Sequence, residues 1–193
     1  MKRTLLLMLL FATSVLGFAA QKTIMVSTGK TDLVMQVAPN GRLYQVYLGD
    51  RLTDPSEYDK LDWSVYAASD GAVCKRGHEV CATSGAEDFF EPALAITHAD
   101  GNMTTYLYYK DMATRAVDGG VETVITLQDK AYPVTVRLHY VAYAKENVIK
   151  AWSEVEHKEK SPITLFRYSS TMLYFRASQY FLTSYHSDWA REG

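Results

Sequence analysis

The sequence predicts an all-β protein built as an antiparallel β-sandwich. Apolar residues recur at every second position in many short runs, turn residues separate these runs, and few stretches show helical periodicity. The chain has 193 residues, of which 48% are hydrophobic and 22% charged, and this is enough apolar material for a sizeable core. Many antiparallel strands joined by short turns are typical of two sheets packed face to face.

Two glycine-containing turns predict β-hairpins in the first half of the chain. Asn40-Gly41 separates the alternating run 33–37 from the β-prone run 43–48, and both turn residues tolerate a positive φ. The same pattern recurs at Asp100-Gly101, where it predicts that residues 94–97 pair with residues 104–109.

The second half reads as a series of strands separated by turns. In the run 134–140 the even positions are apolar and form one face, whereas Thr135, Arg137 and His139 lie opposite. Further strands are predicted at 123–127, 147–156, 163–175 and 180–185. The turns between them are predicted at 118–120, 145–147 and 160–162.

The N-terminus predicts an exported protein. Lys2-Arg3 precedes an apolar core at 5–16, and Gly17-Phe18-Ala19 offers the small residues that a signal peptidase reads. Cleavage after Ala19 would leave residues 20–193 as one domain in the periplasm or outside the cell, with no membrane attachment. An uncleaved membrane anchor is the alternative.

A long segment at 54–91 differs from the strands around it. It contains Pro55, a predicted short helix at 56–61 and the cysteines Cys74 and Cys81. An oxidising compartment would let the two thiols form a local disulfide; free thiols, or a zinc site that also uses His78, are the alternatives. A loop of this length in a compact domain is usually functional or disordered.

The sequence carries no complete catalytic motif. It contains no nucleophile elbow, no His-Glu-x-x-His, no phosphate-binding loop and no dinucleotide fingerprint, so no cofactor or metal is predicted. The net charge is -2 without a basic stripe, which argues against a nucleic-acid partner. Glu87-Asp88 and Glu91 flank Phe89-Phe90, which indicates either a polar ligand site beside an apolar wall or a loop that phenylalanines anchor in the core.

Several stretches, in order, resemble one known family. Residues 46–52 (Val-Tyr-Leu-Gly-Asp-Arg-Leu) resemble its Leu-Tyr-Trp-Gly-Lys-Arg-Leu, and residues 88–94 resemble its Asp-Phe-Arg-x-Pro-Ala-Leu. Residues 186–192 are similar to its His-Gly-x-Trp-x-Arg-Glu, and weaker matches lie at 99–101, 147–149 and 161–165. The family is the N-terminal domain of glycoside hydrolase family 36, the bacterial α-galactosidases.

The resemblance implies a β-supersandwich that packs against a (β/α)8 barrel. In the family, two aspartates on the barrel carry out retaining hydrolysis of terminal α-galactosides, and a barrel needs about 250 residues. The resemblance therefore implies that this chain holds no catalytic residue and an incomplete sandwich. It also implies a parent enzyme that binds α-galactoside sugars as a homo-oligomer.

The resemblance carries three candidate substrate-binding residues into this chain. Asp88 is a candidate acceptor for a sugar hydroxyl, and Arg51 and Trp63 are weaker candidates. Alternatively, Arg51 is an interface or core-edge residue and Trp63 is a packing residue. Glu87 and Phe90 depart from the family, which has glycine and arginine at these positions.

Two further functions remain open from the sequence. The 14 tyrosines and the export signal also fit a free-standing carbohydrate-binding or adhesion module. A structural sandwich with a protein partner is the third hypothesis, because an incomplete sandwich leaves unpaired strand edges.

Overall fold

The fold consists of short antiparallel strands. The structure, a computed structural model, describes residues 22–54, 56, 58, 61, 79–86, 91–175, 179–181 and 183. Nine strands lie in this part of the chain: β1 (Lys22–Ser27), β2 (Thr31–Val37), β3 (Leu43–Asp50), β4 (Leu94–Thr97), β5 (Leu107–Val117), β6 (Gly120–Asp129), β7 (Val134–Tyr143), β8 (Val148–His157) and β9 (Thr164–Tyr168).

The strands form three antiparallel sheets. One sheet has the order β1-β2-β3, a second is the pair β4-β9, and the third has the order β5-β6-β7-β8. Consecutive strands pair within the two larger sheets, whereas β4 and β9 come together from distant parts of the chain. The predicted all-β antiparallel fold is confirmed.

One hydrophobic core joins the sheets. Side chains of β1 and β2 such as Ile24, Leu33 and Met35 pack in the same cluster as Ile125 of β6 and Leu138 of β7. The even-numbered residues of 134–140 are all buried and belong to this core, as the alternation predicts. The three-stranded and four-stranded sheets therefore bury their apolar faces together.

The hairpin at Asn40-Gly41 is confirmed. Val37 pairs with Leu43, and Gly41 has a φ of 81°, which glycine adopts without strain. The turns at 118–120 and 145–147 likewise join β5 to β6 and β7 to β8, with a positive φ at Gly119 and Asn147.

The second predicted hairpin is wrong. The turn itself exists, because the Gly101 N–H donates to the His98 carbonyl at 2.9 Å, but β4 pairs with β9 and β5 pairs with β6. The returning chain is held elsewhere: the Tyr106 N–H donates to an Asp129 carboxylate oxygen at 2.6 Å, at the far end of β6. A local turn motif does not contain this long-range information.

Several predicted strand limits also need correction. The sequence patterns predicted neither β1 nor the continuation of β5 to Val117. The predicted strand 163–175 is only Thr164–Tyr168. Residues 171–175 contact β3 instead, where the Gln45 amide donates to the Tyr174 carbonyl at 2.6 Å. Of the predicted strand 180–185, residues 180, 181 and 183 are not in a strand and the others lie outside the described residues.

The ends and the short helix are described only in part. Ser56 and Tyr58 lie in a 3-10 turn, and the remainder of the predicted helix, apart from Leu61, lies outside the described residues, as does the predicted signal peptide. No helix in the described part of the chain is both long and apolar enough to cross a bilayer.

Candidate functional site

The structure describes one of the three predicted substrate-binding residues. Arg51 lies directly after β3, whereas Trp63 and Asp88 lie outside the described residues, in the segments 62–78 and 87–90. The geometry of the candidate site is therefore given by the residues that flank these two segments.

Arg51 is exposed and contacts the turn between β1 and β2. Its backbone N–H donates to the Lys30 carbonyl at 2.8 Å, and its guanidinium lies 3.5 Å from the Thr28 carbonyl. Both contacts fasten the end of β3 to this turn, so the contacts that the structure describes for Arg51 are structural.

A buried polar cluster holds the chain after Arg51 against the first sheet. Asp32 of β2 is fully buried, and one carboxylate oxygen accepts from the Leu52 N–H at 2.8 Å and from the Tyr58 hydroxyl at 3.4 Å. Gln36 of β2 donates to the Tyr58 carbonyl at 2.8 Å. Burial raises the pKa of the Tyr58 hydroxyl, and the adjacent Asp32 carboxylate raises it further. Tyr58 therefore remains a neutral hydrogen-bond donor.

The same cluster places Leu52 and Tyr58 beside β2. Tyr58 contacts Asp32 through its hydroxyl and Gln36 through its carbonyl. Gln36 pairs with Tyr44, and Tyr44 forms a bridge with Glu79. Both ends of the segment 62–78 therefore lie near the start of β3.

Residues 79–86, the connecting segment, join the two undescribed segments. Glu79 forms a bidentate ion pair with Arg42, with N···O distances of 2.8 and 2.6 Å, and the two side chains are only 6% and 10% exposed. Burial alone would lower the pKa of Arg42, but the Glu79 carboxylate outweighs it and the pKa lies above its ordinary value. The pair therefore stays charged inside the protein.

The far end of the connecting segment is fixed to β4. The Ser84 N–H donates to the Leu94 carbonyl at 3.0 Å, and the Ala93 N–H donates to the Ala82 carbonyl at 2.8 Å. Beyond the segment 87–90, Glu91 forms an ion pair with Arg167 of β9. Ser84 and Glu91, on either side of the segment with Asp88, thus contact the β4-β9 pair.

Cys81 lies in the middle of the connecting segment and is buried. Burial, together with the Glu79 charge, raises the pKa of its thiol to about 12. A thiol with such a pKa is not a reactive thiolate at neutral pH. Cys81 is a free cysteine in the structure, and Cys74 lies outside the described residues, so the disulfide stays a prediction.

The connecting segment and Arg51 lie at opposite ends of β3. The connecting segment begins beside Leu43 and Tyr44 at the start of this strand. Arg51 follows the other end of this strand of 8 residues, at a distance of about 23 Å. Arg51 is therefore separated from the connecting segment, which precedes Asp88 in the chain, by the length of β3.

A protein-family model matches most of the chain. The model describes the glycosyl hydrolase family 36 N-terminal domain and matches residues 41–193. The chain belongs to this family. None of the curated proteins matches the chain.

Solved structures of family 36 enzymes have the same fold. The α-galactosidase AgaA from Geobacillus stearothermophilus is 24% identical with a TM-score of 0.67, over 78% of this chain and 24% of that chain. A variant of it in complex with raffinose is 25% identical with a TM-score of 0.65 over the same shares. The α-galactosidase from Lactobacillus brevis is 20% identical with a TM-score of 0.66, over 79% of this chain and 24% of that chain. This family 36 chain thus spans about a quarter of the length of these structures.

Five carboxyl groups that the structure describes in this family 36 domain are poor candidates for an acid catalyst. A general acid in glycoside hydrolysis needs a raised pKa. The resolved pKa shifts of Asp54, Asp100, Glu122, Glu156 and Glu159 are all downward. Hydrogen bonds lower the pKa in each case. Burial would raise the pKa of Glu159, but hydrogen bonds from His98 and the Ala99 N–H outweigh it. These groups stay ionised at neutral pH.

The buried carboxylates have structural partners instead. Asp129 accepts from the backbone N–H groups of Tyr106, Ala131 and Tyr132. Glu79 holds Arg42, and Asp32 holds Leu52 and Tyr58. Within the described ranges, no group of three or more His, Cys, Asp or Glu side chains could hold a metal ion. These carboxylates hold neighbouring parts of the chain in position.

Glu122 gives a pH-dependent contribution to stability. It is buried, and hydrogen bonds from Arg115 and then His139 lower its pKa below the unfolded value of about 4.3. Its stabilisation is therefore complete above the unfolded pKa and is lost as the pH falls through the folded pKa. We expect Glu122→Gln to flatten the fall in unfolding free energy below about pH 4.5, as measured by urea denaturation across pH. An unchanged pH dependence would show that Glu122 has the same pKa in both states.

The residues that fix the flanking chain were not among the predicted site residues. Asp32, Gln36, Arg42 and Glu79 are all buried, yet none of them belongs to a recognisable motif. Asp32 and Gln36 interrupt an otherwise apolar strand, and a buried polar residue needs a partner. For Asp32 and Gln36, that interruption is the signal in the sequence that could have identified them.

Proposed function

We propose that this chain is the non-catalytic N-terminal β-sandwich of an exported α-galactosidase. The parent enzyme hydrolyses terminal α-galactosides with two carboxylates on a (β/α)8 barrel outside these residues. The family match over residues 41–193 carries this proposal, together with the alignment of the chain to a quarter of the length of α-galactosidases.

An exposed apolar surface supports a role as part of a larger protein. All five residues of β9 are exposed, with Phe166 exposed by 78%, and Phe175 and Phe181 add 58% and 91%. These exposed aromatic side chains are suited to contact with the rest of the parent enzyme.

The arrangement of the flanking residues favours an auxiliary role of this chain at the sugar site. The connecting segment 79–86, which lies between Trp63 and Asp88 in the chain, is fixed to β3 and β4. In the proposal the Asp88 carboxylate accepts a hydrogen bond from a sugar hydroxyl, and Trp63 forms part of the adjacent wall. Arg51, at the other end of β3, is assigned to an interface of a homo-oligomeric parent enzyme.

Expression of the longer reading frame tests the proposal. We expect the sequence that follows Gly193 in the gene to encode a barrel, and the extended protein to hydrolyse p-nitrophenyl α-galactoside. A downstream sequence without a barrel, or a folded extended protein without this activity, would contradict the proposed parent enzyme. Removal of residues 1–19 during export tests the localisation in the same expression experiment, by mass determination of the mature protein.

A further inference from the structure

The outward face of the four-stranded sheet carries an ordered array of polar side chains. The register places Thr126 of β6 beside Arg137 of β7, and Gln128 beside Thr135. Thr135 in turn pairs with Glu156 of β8. These residues alternate with core residues, so their side chains lie on the face that points away from the core.

These side chains form a groove of about 340 Å³. Its floor contains Thr126, Gln128 and Thr135, which are half-buried, and its rim contains the exposed Lys110, Asp111 and Lys158. The hydroxyl side chains of Thr126 and Thr135 lie in the two central strands together with Gln128 and Arg137, whereas Lys110 and Asp111 lie on the outer strand β5.

The charged groups of the groove are largely paired with each other. Arg137 donates to Glu156 at 2.7 Å, and the Lys158 ammonium lies 3.3 Å from the other Glu156 oxygen. Lys110 and Asp111 add one charge of each sign. The five charged side chains of the groove carry a net charge of only +1, with Arg137 and Lys158 both paired to Glu156, and its two carboxylates are too few to enclose a metal ion.

The groups on the floor are free to bind a ligand. The side chains of Thr126, Gln128 and Thr135 make no hydrogen bond to any part of the chain that the structure describes. Hydroxyl and amide groups supply donors and acceptors side by side, which is what the hydroxyl groups of a sugar require. Arg137 and Glu156, which fix each other, lie directly beside them.

We propose that this groove is a second, non-catalytic site that binds a neutral oligosaccharide through its hydroxyl groups. The polar floor does not suit an apolar ligand, and the paired charges do not suit a charged one. The site lies on this chain alone, and it depends on the proposed function only for the choice of galactose-containing probes.

Titration of the 15N-labelled chain with raffinose and stachyose tests this site by NMR. We expect saturable shifts of the amide signals of β6, β7 and β8 around the groove. The double variant Thr126→Val, Thr135→Val keeps the shape and the strand preference of both side chains and removes two hydroxyls. Because two hydrogen bonds are lost, we expect the Kd to rise by about tenfold or more.

Thr114→Val is the matched control, because Thr114 is an exposed threonine of β5 outside the groove. It should bind both sugars with the Kd of the wild-type chain. Absent shifts, shifts confined to other surfaces, or an unchanged Kd in the double variant would overturn the site. Each result is independent of whether the parent enzyme hydrolyses galactosides, so the two proposals fail separately.

Discussion

Replacement of Arg42 by methionine should destabilise the domain by about 3–5 kcal/mol, because it leaves a buried carboxylate without its counter-charge. Arg42 and Glu79 form two short N···O contacts and are almost completely buried. Glu79 is the first residue of the connecting segment, so the variant would also lose the ion pair that anchors this segment to Arg42. The free energy of unfolding, measured by denaturant titration, provides the test.

Arg137→Met is the matched control for this prediction. Arg137 also pairs with a glutamate at 2.7 Å, but its side chain and that of Glu156 are 38% and 39% exposed. Water screens such a pair, so we expect a loss of at most about 1 kcal/mol. Equal losses in the two variants would show that burial of the Arg42–Glu79 pair does not determine its contribution.

Gly85→Ala should cost about 3 kcal/mol through backbone strain and a steric clash. Gly85 has a φ of 74°, and an added Cβ would lie 2.7 Å from the Cα of Thr104. The obstructing atoms all belong to Thr104, and its Cα is backbone, which a rotation of the Thr104 side chain does not move. Because Gly85 lies just before the segment with Asp88, the variant should also loosen the contact between residues 84 and 105.

Gly101→Ala separates the two contributions at Gly85. Gly101 has a similar φ of 88°, but an added Cβ would meet nothing within 4 Å. We therefore expect a loss of about 1–2 kcal/mol from strain alone. A Gly85→Ala variant as stable as Gly101→Ala would show that residues 84–86 and 104 move apart without cost.

The sequence predicted local structure well where the pairing partner was adjacent in the chain. The hairpin at Asn40-Gly41 and the turns at 118–120 and 145–147 formed as expected, because the turn residues and the apolar alternation agree. At Asp100-Gly101 the turn formed but the strands separated, since β4 pairs with β9 about 70 residues away. No local pattern determines such a partner.

The candidate site was predictable only in part for a similar reason. Arg51 was selected by its motif, yet the fold places it at the opposite end of β3 from the connecting segment. The buried polar residues that fix the site, Asp32 and Glu79, are recognisable only when their partners Tyr58 and Arg42 are seen beside them. The family resemblance, which rested on several weak motifs in order, was confirmed over residues 41–193.

Hydrolysis of p-nitrophenyl α-galactoside by the purified 193-residue chain tests the central claim most directly. In this account the chain folds as a β-sandwich and positions loops, while the two carboxylates that cleave the glycosidic bond belong to another part of the parent enzyme. We therefore expect a rate equal to that of the buffer alone. Turnover that co-purifies with the chain and is abolished by substitution of one of its own carboxylates would contradict the account.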